Sequence, residues 1–160
     1  MNAIQYMPVG TVHSPFTDIA GMPIQPPGAR GIRGFVVLQD EFAAGLKDIE
    51  GFSHVILIYH LHLVRDFSLS VRPFLDNDEH GIFATRAPKR PNPIGLSVVR
   101  LVARDGASLE IEDVDILDGT PLLDLKPYVP QFDAAENVRI GWFDGRLEHI
   151  AKARSDERFV

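Results

Sequence analysis

The sequence of 160 residues contains no cysteine. That absence excludes a disulfide framework, a thiolate zinc centre and a cysteine nucleophile. No apolar run approaches the roughly 20 residues a membrane-spanning helix needs. The start, Met1 to Gly10, lacks a basic region followed by a long apolar one. A signal peptide is therefore not expected, and a cytoplasmic location is the default expectation. Positive charge is scarce: 16 Lys and Arg stand against 22 Asp and Glu, for a net charge of −6. Such a chain is ill suited to loose, charge-driven binding of nucleic acid, although one local basic patch can still recognise it. The familiar chemical signatures are missing too. There is no GxGxxG, no phosphate-cradling P-loop, no HExxH and no GxSxG.

Against this background one stretch stands out, Gly81 to Leu101 (GIFATRAPKRPNPIGLSVVRL). It carries Arg86, Lys89, Arg90 and Arg100 and no acidic residue. Pro88, Pro91 and Pro93 fix their own φ and push the residues before them towards extended geometry. Lys89, Arg90 and Asn92 are thus expected on a stiff, non-helical loop, where binding costs little ordering entropy. The flanks, Gly81–Thr85 and Ile94–Leu101, read as strands. A plain connector is the alternative. The lack of a local carboxylate partner favours an anion-binding role.

The rest of the chain reads as short strands separated by Pro/Gly breaks. Residues 8–17 form an extended piece ending in a turn, and 21–34 hold three prolines and four glycines and form a loop. Phe35–Leu38 is a strand and Glu41–Ile49 has short helical spacing. Residues 52–63 give the strongest strand signal, apolar enough to be buried on both faces for part of its length. His60 and His62 lie two apart in it. No third ligand is evident nearby, so no metal site is expected. Residues 108–116 alternate with one slip at 112–113 that suggests a bulge. Asp118-Gly119 is a turn dipeptide before an apolar strand. Val138–Leu147 holds Trp142 and a short strand, and 147–158 is a helical or frayed end. About seven short strands with few helices predict a mainly β domain, a closed or nearly closed barrel spanning 1–160 with short peripheral helices.

Three proline-stiffened polar loops remain as the chemical inventory, around 23–27, 86–93 and 118–127. They carry Gln25, Arg86, Lys89, Arg90, Asn92, Asp118, Thr120, Asp124 and Lys126. Brought to one end of a barrel, they form a mixed-charge pocket. Its arginines suit a carboxylate or phosphate, and its aspartate an amino or hydroxyl group.

The motifs VGTVHSPF, GMPIQP, GLKDIEGFSHVILIYHLH, GIFATRAPKRPNPIGLSVVRL and DVDILDGTPLLDLKPYVPQFD, spread over about residues 9–133, resemble a known family. These are the tRNA methyltransferases that methylate N6 of threonylcarbamoyl-adenosine at position 37, next to the anticodon. The resemblance implies a β-barrel that binds S-adenosylmethionine without a Rossmann fold, and a homodimer with sites close to the subunit interface. It implies that Pro23, Ile24, Gln25, His62, Leu63, Arg86, Leu96 and the segment Asp115, Ile116, Leu117, Asp118, Gly119 and Thr120 surround the cofactor. Arg86 is the candidate for the cofactor carboxylate, and Asp118 for a ribose or amine contact. Asp118, Arg90 and Asn92 are the candidates for catalysis, with Asn92 placing an acceptor near the target amine. Lys89, Arg90 and Lys126 are the candidates for RNA phosphate or the carboxylate of the modified base. Better-known members carry a further C-terminal domain. This chain is expected to be a short form, with 134–160 an extension of the core. A cofactor-binding sensor without catalysis, or a methyltransferase for another RNA or small molecule, stays open beside the tRNA reading.

Overall fold

In the computed structural model, which describes residues 3–156, six strands close into an antiparallel barrel. They are β1 (Gly10–His13), β2 (Arg33–Leu38), β3 (His54–His60), β6 (Ile94–Asp105), β7 (Ser108–Glu112) and β8 (Thr120–Pro127). Their order round the barrel is β1-β2-β7-β6-β3-β8, with β8 returning to β1. Two further strands, β4 (Ser70–Val71) and β5 (His80–Gly81), pair only with each other. The barrel is thus smaller than the seven strands expected, because the segment before Arg86 leaves it. Gly81–Thr85 looks β-like in composition, yet Ile82–Ala84 is a 3-10 turn. Ile82 is drawn into a satellite cluster with Val71 and Ala87, against which Phe74 packs.

Alternation with period two builds the core. Val36 and Leu38 on β2, and Val55, Leu57 and Tyr59 on β3, point inwards. Val12, Val99, Leu109, Ile111 and Leu122 meet them from the other strands. The outward residues of β3 are half-buried, so that strand is covered on one face fully and on the other in part. The slip at 112–113 ends β7 instead of bulging it. Asp113 takes a left-handed φ of 70° there, and its Oδ1 accepts from Gly31 N at 2.7 Å. Register shifts fall instead on the β6–β7 ladder, between Leu101 and Ala103, and on the β3–β8 ladder, between Ile58 and Tyr59. Glu41–Ile49 forms 3-10 turns rather than an α-helix, and Val138–Leu147 holds a 3-10 turn where a strand was expected. The α-helix of Pro130–Asp133 is one turn long. Among the described residues no helix is long and apolar enough to cross a membrane.

Antiparallel strand order decides where the loops go. Connections alternate between the two ends of the barrel. The links β1→β2, β3→β6 and β7→β8 therefore share one mouth. These links hold residues 14–32, 61–93 and 113–119, so distant stretches of sequence converge. β8 runs away from that mouth. The chain after it returns, and 140–156 pack back against the mouth loops through the bonds of Trp142 and Ser155.

Candidate active site

A cavity of about 770 Å³ opens at this mouth. It falls within the range that encloses a drug-sized ligand. Pro23, Ile24 and Gln25 line one side, and His62, Leu63 and Leu96 another. Arg86, Asp115, Ile116, Leu117 and Thr120 complete the set of predicted cofactor residues found in the lining, and Arg90 joins them. Asp118, Gly119, Lys89, Asn92 and Lys126 are outside it.

Arg86 is exposed at the mouth, and its Nη1 donates to Gln25 Oε1 at 3.1 Å. That bond ties the 23–27 loop to the 86–93 loop and holds the guanidinium towards the cavity. The loop beneath it is braced from within. Thr85 Oγ1 donates to Ile82 O at 2.9 Å and accepts from Ala87 N at 3.2 Å. Arg90 Nη1 donates to the carbonyls of Thr85 at 2.9 Å and Ile82 at 3.1 Å. Arg90 thus works inside the loop, with its guanidinium 5.8 Å from the Phe83 ring centroid.

The floor holds a polar chain that joins the expected Asp115 to two residues the sequence did not point to, Ser97 and Tyr59. Ser97 Oγ donates to Asp115 Oδ1 at 2.7 Å, and Tyr59 Oη lies 3.0 Å from Ser97 Oγ. A serine hydroxyl has one hydrogen, and here it goes to the carboxylate, so the Tyr59 phenol donates to Ser97. Burial raises the Asp115 pKa to about 6, against the opposing pull of the Ser97 hydrogen bond and the Arg86 charge. Burial, then the nearby Asp115 charge, pushes the Tyr59 phenol well above its usual range, so it remains a donor. Gly95 makes room for the ring, since a Cβ there would lie 2.2 Å from Tyr59 Cε2. The pairing Tyr59↔Gly95 in the β3–β6 register was the available signal, and it needed the strand alignment to be seen. His62 is held below its ordinary pKa, first by burial and then by the His60 charge, so it is neutral at pH 7.

Asp118 lies outside the cavity lining and is engaged with the exit of β1. Its Oδ1 accepts from Ser14 N at 3.1 Å and lies 3.1 Å from His13 Nδ1. The Ser14 N–H, more than His13, lowers its pKa. With Ser14 Oγ donating to Ile116 O at 2.6 Å, it pins the β1 exit to the wall formed by 115–117. Asp115 lines the cavity and Asp118 does not. Lys126 pairs with Asp124 at 2.7 Å. It lies six residues beyond Thr120 on β8, about 20 Å along an extended strand and away from the mouth. Lys89 lies 3.4 Å from Asp66, and Asn92 is exposed on the loop entering β6. Among the described residues no group of His, Asp and Glu is placed to hold a metal ion.

Residues 11–134 match the family described as tRNA-methyltransferase O N-terminal domain. A probable S-adenosyl-L-methionine-binding protein of Pyrococcus abyssi is 58% identical over 156 residues, covering 98% of this chain and 85% of that protein. The tRNA (adenine(37)-N6)-methyltransferase of Homo sapiens is 33% identical over 149 residues, covering 89% of this chain and 34% of the human protein. The crystal structure of TrmO from Pseudomonas aeruginosa matches with a TM-score of 0.74 at 37% identity, over 88% of this chain and 63% of that one. The chain therefore spans most of the Pyrococcus protein but about a third of the human one. Barrel, mouth loops and matched span coincide: the chain belongs to the tRNA-methyltransferase O N-terminal domain family.

Proposed function

We propose that the protein binds S-adenosylmethionine in the mouth cavity and methylates N6 of adenine 37 in tRNA, with threonylcarbamoyl-adenosine as the form of that base it accepts. The observation that carries this reading is the shared hollow itself. Arg86, Gln25 and Asp115, from three separate stretches of sequence, line one cavity of cofactor size in a chain of this family. The donor set fits the group. A guanidinium suits its carboxylate, a partly buried carboxylate suits its ammonium, and Leu61, Leu63, Leu96 and Leu117 suit its adenosine.

When bound, the cofactor supplies an electrophilic methyl group on a sulfonium. Held between Arg86 and Asp115, it would supply that methyl to adenine N6, with S-adenosylhomocysteine as the leaving group and the displaced proton passing to solvent. Alignment supplies most of the rate in such a displacement. The chain's own residues do the aligning. Arg86, pre-set by Gln25, fixes one end of the donor. Asp115, ionised above pH 6 and held by Ser97, fixes the cationic part. Asn92, exposed beside the mouth, orients the target amine, and Lys89 meets RNA phosphate. Lys126 is a more distant phosphate contact. A homodimer belongs to the same reading. Leu63, Phe67, Leu69 and Phe83 are exposed on the loops flanking the cavity, an apolar rim that a second copy would cover. So does a cytoplasmic location, where tRNA is found.

The test is methyl transfer from labelled S-adenosylmethionine to bulk tRNA from cells with and without the threonylcarbamoyl modification. Label confined to the modified tRNA is the expected result. Tight cofactor binding without label in either tRNA would support the sensor reading instead.

A further inference from the structure

The segment after the barrel supplies a cavity wall that lies beyond the family match. The match ends at residue 134, whereas Ile140, Trp142, Phe143, Leu147 and Ile150 line the cavity. This strap is fastened at several points. Trp142 Nε1 donates to Ala84 O at 2.7 Å, on the loop that carries Arg86. Arg146 Nη2 lies 3.1 Å from Asp76 Oδ2, a carboxylate that also meets His80 Nε2 at 3.0 Å. Further on, Ser155 N donates to Met22 O at 2.8 Å, and Gly21 N to Ser155 O at 3.0 Å.

Where the strap meets β5, the rings form a stack. His80 and Trp142 lie 4.5 Å apart at 17°, and Trp142 and Phe143 lie 3.9 Å apart at 24°. His80 is outside the cavity lining and Phe143 is in it, so the stack runs from the loops towards the hollow. Aliphatic side chains would suffice to close an apolar hollow. A fixed parallel stack instead ends on a flat ring, and a flat π face is what a nucleobase stacks on.

We propose that Phe143, held flat by Trp142 and His80, is a stacking platform for an adenine ring. The proposal rests on the reading of the cavity as an S-adenosylmethionine site and names the residues that grip a purine there. Two adenines come to such a site, that of the cofactor and that of the target nucleotide, and both offer the same face.

Trp142 is the single tryptophan of the chain, so its emission reports on this wall alone. The experiment titrates the full chain with S-adenosylhomocysteine, following Trp142 fluorescence and calorimetry in parallel. A second arm adds an anticodon-loop oligonucleotide with adenine at the target position, with S-adenosylhomocysteine saturating. Phe143→Leu keeps an apolar side chain but removes the ring, and Phe143→Tyr keeps the ring. The platform predicts a saturable change in emission in one arm. It also predicts that Phe143→Leu weakens that ligand on the order of tenfold, with Phe143→Tyr near wild type. If S-adenosylhomocysteine binds by calorimetry while emission is unchanged in both arms, the platform is overturned and the cofactor site stands. An emission change with unaltered Phe143→Leu affinity overturns it as well. No calorimetric binding of S-adenosylhomocysteine defeats the cofactor reading. The oligonucleotide alone then decides the platform, supporting it by quenching that Phe143→Leu weakens and overturning it otherwise.

Discussion

Asp115 is the side chain whose chemistry depends most on its surroundings. Its carboxyl titrates near pH 6 in the folded chain, above the ordinary 3.8, because burial favours the neutral form. A proton on it must leave before a cationic ligand can be held. Affinity for S-adenosylhomocysteine should therefore fall severalfold from pH 7.5 to pH 5, and Asp115→Asn should be weaker and nearly flat across that range. Calorimetry at the two pH values checks this. The sign for stability is opposite. A raised folded pKa gives stability that is present in full below pH 3.8 and lost as pH rises through 6. Asp115→Asn should accordingly raise the melting temperature more at pH 7.5 than at pH 4. Gly95 acts on the same network through space alone. Gly95→Ala places a methyl group against the Tyr59 ring, and two flanking strands prevent either from yielding cheaply. Loss of most ligand affinity, with a lower melting temperature, is the expected outcome in the same assays.

Among the elements, the loop 82–90 shows how a stiff frame and an exposed charge divide the work. Arg90 and Thr85 hold the frame through main-chain carbonyls, and Arg86 is left to face the cavity. Arg86→Ala should weaken S-adenosylhomocysteine by about tenfold or more, the scale of a charge-assisted hydrogen bond worth about 1.5–3 kcal/mol. Lys89→Ala should leave that affinity unchanged and lower the rate on tRNA. Arg90→Ala should affect both, because it loosens the turn that presents Arg86. The stiffness of this loop was legible from Pro88, Pro91 and Pro93, and β2, β3 and β6 from alternating and β-branched residues. The 3-10 turn at Ile82–Ala84 was hidden, since its composition is that of a strand and its cause is a satellite cluster. Asp115 and Asp118 were both expected at the pocket, and nothing local showed that only Asp115 lines it. The left-handed turn at Asp113 was not legible either, since an Asp is a permitted but not a predictable occupant there. The Trp142 stack depends on His80, far away in sequence, so nothing local could announce it.

At the scale of the whole molecule, the account depends on strand order. A six-stranded antiparallel barrel sends alternate connections to opposite ends, and chemistry gathers where 14–32, 61–93 and 113–119 meet. The other end carries the β2→β3 connection, 39–53, and the β6→β7 turn at Gly106–Ala107, with no part in the cavity lining. Prolines stiffen 14–32 and 61–93, whereas 113–119 contains none, and only the closed barrel makes neighbours of the three. Amide hydrogen exchange of the full chain with and without saturating S-adenosylhomocysteine tests this most directly. The account predicts slowed exchange together in 22–29, 85–90 and 114–120, with 39–53 and 105–108 unchanged. Protection confined to one of the three mouth segments, or appearing at the opposite end of the barrel, would contradict it.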